Sequence, residues 1–123
     1  MKWVVLTLAM LVASCQADLR VDVRQEADGR LRIEATDPSG HHPCLDVVAI
    51  SRVVSKRDEP VWSVALDPPY TVCTSVIRYP MVPPGYSASA PGAPLRSGDH
   101  FAVSVTSSST GGHGRSAEMR FGE

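Results

Sequence analysis

Apolar and polar residues alternate with a period of two along most of this chain. Leu19, Val21 and Val23 alternate with Arg20, Asp22 and Arg24, and Leu31, Ile33 and Ala35 alternate with Arg32, Glu34 and Thr36. That spacing puts one set on the buried face of an extended strand and the other on its wet face. Asp28-Gly29 lies between the runs, so they are expected to pair as a hairpin with a turn longer than the minimal Asp-Gly type. Asp37-Pro38-Ser39-Gly40 ends it. From Cys44 to Val54 both alternating faces are apolar, Val47 and Ala49 on one and Val48 and Ile50 on the other, as in a central strand between two layers. A helix competes for this stretch, but its β-branched residues favour a strand.

Ser55 to Glu59 is expected to form a charged turn ending at Pro60. Trp62, Val64 and Leu66 then face inward against Ser63 and Ala65, which assigns the tryptophan to core packing. Pro68-Pro69 stops that strand. Cys73, Ser75, Ile77 and Tyr79 line one face of the next run. Pro80 to Gly98 holds five prolines and three glycines. A connection of that length is functional, packed as an extended segment, or mobile, and Tyr86 and Leu95 are the side chains that could pin it. A last hairpin sets Phe101, Val103 and Val105 against His100, Ala102 and Ser104. After a Gly-rich tip, Ala117, Met119 and Phe121 alternate with Ser116, Glu118 and Arg120.

About seven short strands separated by turn signals predict an all-β fold, a small antiparallel β-sandwich, with a small closed barrel as the alternative. The general look is similar to immunoglobulin-like and fibronectin type III domains. Cys44, Trp62 and Cys73 lack the wide spacing of the immunoglobulin pin, so that detail does not carry over.

Ahead of the strands, Met1 and Lys2 precede an apolar run from Trp3 to Val12 that only Thr7 interrupts. Small residues and a cysteine follow, and Gln16, Asp18 and Arg20 come soon after. A membrane span needs about 20 apolar residues, so a secretory signal is the expectation. Leu11-Val12-Ala13-Ser14-Cys15 resembles the lipobox of bacterial lipoproteins. The resemblance implies cleavage before Cys15, a diacylglyceryl group on its sulfur and a third acyl chain on its amine. It also implies a place in the cell envelope, and Gln16 instead of aspartate after the cysteine favours the outer membrane, with the domain facing the periplasm. The competing reading makes Cys15 part of an ordinary cleaved signal. The expected organisation is a signal peptide over 1–14, the lipidated cysteine and a short tether over 15–18, and one sandwich domain over 19–123. The tether is only Gln16, Ala17 and Asp18, roughly 10 to 12 Å of chain.

Removing the first 14 of 123 residues leaves 109, enough for one domain with a modest core. That mature chain carries 11 basic and 13 acidic residues, a formal charge of −2 with the histidines neutral. Such a balance offers nucleic acid no basic surface. Cys44 and Cys73 remain after lipidation, either as a disulfide in an oxidising periplasm or as two buried thiols.

No Gly-x-Ser-x-Gly elbow, His-Glu-x-x-His helix or phosphate-binding loop is present, so no catalytic residues and no cofactor are expected. Ser107 to Thr110 read as a hydrophilic approach to a turn. His41 and His42 are the weak metal candidates, with His100 or His113 as further ligands, but neighbours on an extended chain point to opposite faces. The Pro-rich connection and the Gly-rich tip are the expected contact surfaces, with Tyr86 as the nominated binding residue. The function this supports is a membrane-anchored protein-interaction or envelope-structural module with a protein partner. The alternatives are an inhibitor or immunity protein against an envelope-attacking enzyme, and a periplasmic metal carrier.

Overall fold

Period-two alternation becomes two facing antiparallel sheets in the computed structural model, which describes residues 19–92, 95–107 and 112–122. The strands are β1 (Arg20–Glu26), β2 (Arg30–Thr36), β3 (Val47–Val54), β4 (Arg57–Leu66), β5 (Val76–Tyr79), β6 (Tyr86–Ala88), β7 (His100–Ser107), β8 (Gly112–Arg115) and β9 (Met119–Arg120). One sheet has the order β1-β2-β5; the other runs β6-β4-β3-β7-β8, with β9 also paired to β7. This β-sandwich has immunoglobulin-like connectivity, with the first, second and fifth strands in one sheet and the third and seventh central in the other.

Most inward residues are those that the alternation assigns, but Val21 and Val23 are only half-buried, Cys73 is exposed, and Ala102, assigned to the outward face, is buried. Leu31, Ile33 and Ala35 of β2, Val48 and Ile50 of β3, Val64 of β4 and Phe101 and Val103 of β7 are fully buried. Full burial of such a side chain is worth about 1.5 to 3 kcal/mol. Trp62 of β4 meets Tyr79 of β5 across the sheets, edge to face, with ring centroids 4.9 Å apart. Burial also raises the pKa of the Tyr79 phenol.

The registers give the sandwich two ends. Leu19, Thr36, Val47, Leu66, Val76 and Ser107 lie at one, here the entry end; Glu26, Arg30, Val54, Arg57, Tyr79 and His100 lie at the other, the far end. At the far end the β1–β2 turn is the three-residue Ala27–Gly29, longer than a two-residue turn, as the sequence predicts.

Four expectations change. The turn after β3 is only Ser55-Lys56, both at positive φ (51° and 66°), the twist of a type I′ hairpin. Strand β4 therefore starts at Arg57, and Pro60 falls beside the irregularity at Ile50/Ser51, on the part of β4 that β6 does not reach. Bulges and edges are the places where a sheet tolerates proline. Strand β3 begins at Val47, three residues later than Cys44, and its outer face is uncovered, leaving Val47 39% exposed.

The Gly-rich stretch is not all tip, because Gly112–Arg115 already pairs with β7. Gly114 packs against the backbone of Leu19, where any Cβ would collide with the Leu19 carbonyl oxygen. The Leu19 N–H donates to the His113 carbonyl at 2.9 Å, so β1 and β8 seal that side of the sandwich. Ser116 then interrupts the return strand. Its N–H donates to the Val103 carbonyl and its Oγ accepts from the Val103 N–H, leaving Ala117 exposed instead of inward.

Candidate functional site

Long loops crowd the entry end. The β2–β3 loop and the β4–β5 loop are joined by the Cys44–Cys73 disulfide, with Cα atoms 5.5 Å apart. The bond links two loops at the end of the sandwich and does not pass through the core beneath Trp62. Beside it the Leu45 N–H donates to the Thr74 carbonyl. Ser107 Oγ donates to the Cys44 carbonyl at 2.6 Å.

Tyr86 completes this junction. Its hydroxyl donates to the Leu45 carbonyl at 2.6 Å and accepts from the Thr74 N–H at 3.1 Å. Burial raises the pKa of this phenol, partly offset by its bond to Thr74. The side chain nominated as a binding residue is thus 6% exposed and ties β6 to both loops. Leu95 is buried too, so the two residues picked to pin the Pro-rich connection are buried in the sandwich.

The histidines go separate ways. His41 Nδ1 lies 2.9 Å from Ser39 Oγ and 3.6 Å from Asp37, while His42 Nδ1 lies 3.7 Å from Glu34. Among the described residues no three His, Cys, Asp or Glu side chains gather closely enough to hold a metal ion. Asp37, Ser39 and His41 carry the letters of a hydrolytic triad without its layout. In a triad the acid orients one imidazole nitrogen and the serine meets the other; here both Ser39 and Asp37 sit on Nδ1. Asp37 instead accepts from Ser39 Oγ and from the N–H groups of Ser39 and His41, closing a turn. Led by the Ser39 hydroxyl, these bonds lower the Asp37 pKa. Cys15, with Ser108 to Thr110, lies outside the described residues.

Two apolar patches reach the surface. At the entry end, Val47, Ala65, Leu66 and Tyr70 line a recess of about 410 Å³ with Asp46. Tyr70 is 61% exposed and is held at a φ of 66°, a conformation uncommon for a bulky residue. Val72, two residues on, is 57% exposed. The second patch is the strap after β5, where Met81 and Val82 stand out beside Pro83 and Pro84 over a recess of about 240 Å³. The strap ends at Gly85, whose missing Cβ lets it press against the Val72 carbonyl.

No protein-family model, curated protein or solved structure matches the chain. No helix among the described residues is long and apolar enough to cross a membrane. The alternation missed Tyr70, Val72, Met81 and Val82 because it finds residues that are buried. Their signal is a different one: large apolar side chains placed among turn-forming prolines, outside any alternating run.

Proposed function

We propose that this chain is a lipoprotein of the bacterial cell envelope, anchored through Cys15 to the outer membrane. Its sandwich faces the periplasm and works as a protein-interaction or structural module, without catalysis. The lipobox resemblance supports the anchor, and the Cys44–Cys73 disulfide suits an oxidising compartment. The observation that carries the interaction role is the strap, which holds Met81 and Val82 outward on a rigid edge. Exposed apolar side chains grouped beside prolines are a recurrent contact surface, and a fixed strap loses little conformational freedom when a partner closes over it.

The test is affinity capture of the full-length protein from detergent-solubilised envelopes, beside Cys15→Ser and Met81→Glu/Val82→Glu forms. One specific partner, lost with the strap variant, supports the reading. Identical partner lists from all three forms would overturn it. The same projecting strap also suits an inhibitor that wedges into an envelope-attacking enzyme. Deleting the gene and challenging cells with such enzymes separates the two, since only the inhibitor reading expects raised sensitivity.

A further inference from the structure

The entry end holds most of the exposed apolar surface outside the strap, and it is also the end from which the anchor departs. Leu19 is fixed there, bonded to His113 of β8. Only Gln16, Ala17 and Asp18 separate it from Cys15, so the tether spans roughly 10 to 12 Å. Tyr70 lies beyond the end of β4, which stands three strand spacings, about 14 Å, from the β8 strand that Leu19 flanks. A leash this short keeps the whole entry end within reach of the surface that holds the lipid.

We infer that this end of the sandwich docks on the bilayer, with Tyr70 and Val72 of the β4–β5 loop entering the headgroup region. The inference rests on the lipid anchor proposed above. Tyrosine suits that depth, because its ring enters the apolar boundary while its hydroxyl stays wet. Asp67 anchors the turn that presents it, its carbonyl accepting from the Tyr70 N–H at 2.8 Å. The disulfide holds Val72 next to a fixed point at Cys73. Asp37, Asp46 and Asp67 give this end an acidic rim, so the contact is apolar insertion into uncharged headgroups and not attraction to anionic lipid.

The test reconstitutes the lipidated full-length protein in phosphatidylcholine vesicles, with and without brominated acyl chains that quench nearby tryptophan. Tyr70→Trp and Val72→Trp place a reporter at the entry end; Lys56→Trp places one at the far end. All three positions are exposed. Buried Trp62 supplies a common background. In the first two variants the added emission is expected to fall by about half in brominated vesicles, while the Lys56 reporter keeps its intensity. Equal emission with and without bromine at positions 70 and 72 would overturn the docking, as would quenching of the Lys56 reporter. A reporter at position 70 that responds to envelope proteins but not to bromine would assign the patch to a protein and overturn it too. Failure of the protein to float with the vesicles is a separate result, and it sinks the anchor itself.

Discussion

The two ends of this sandwich are finished by different means. At the far end two connections are tight turns, at Ala27–Gly29 and at Ser55-Lys56, and the tail is fastened by backbone bonds between Phe121 and both Gly98 and Asp99 together with one side chain of β1. Gln25 donates to the Arg120 carbonyl and accepts from the Gly122 N–H. The entry end has long loops, closed by a disulfide and by the Tyr86 hydroxyl. Short hairpins need few cross-links, because each fixes only a few residues. Loops of about ten residues cost more to order, and here covalent and buried polar ties offset that cost. Tyr70 and Val72 can stay exposed because those ties hold their backbone.

Breaking the ties should therefore hurt the entry end more. Cys44→Ala/Cys73→Ala opens a loop of sequence separation 29 and is expected to cost about 3 to 4 kcal/mol, read by urea denaturation. Tyr86→Phe strands the Leu45 carbonyl and the Thr74 N–H, at about 1 to 2 kcal/mol by the same measurement. Gln25→Ala at the far end is expected to cost about 0.5 to 1 kcal/mol, since water replaces its exposed bonds. A Gln25 effect as large as that of Tyr86 would erase the contrast between the ends.

Acid should act on the entry end alone among these ties. The folded pKa of Asp37 is lowered, so its support for the 37–41 turn is present above the ordinary carboxylate range and is lost as pH falls through the lowered value. Faster amide exchange at Ser39 and His41 in that window, with the 27–29 turn unchanged, is the expected outcome. The smallest effect is Arg115→Ala. Its paired contact with Asp58, at 2.8 and 3.2 Å, is half exposed, and its loss should change stability by less than about 1 kcal/mol.

The contrast also divides what the sequence makes legible. Buried alternation is visible in a single chain, so the inward faces of β2 and β4 and the core role of Trp62 could be read from it, whereas Tyr86, nominated for binding, proved to be buried. Positions set by a close approach could not. Gly114 reads as a turn residue until Leu19 is placed against it, and Pro60 reads as the end of a turn until it is found opposite Ser51 inside β4. The candidate surfaces were half legible: the Pro-rich connection stood out by composition, whereas Tyr70 sits beyond two prolines and matches no period.

The seam between Leu19 and Gly114 also decides how the domain bears load. A pull on the chain ahead of Leu19, directed along the strand axes, is felt first by β1. Its seven paired positions with β2 run antiparallel over the whole strand, and their hydrogen bonds lie across the pull. They are sheared together instead of peeled one after another, and the Leu19–His113 bond shares the strain with the second sheet. A first strand held to both sheets in this way is mechanically stiff against a pull on its N-terminal end.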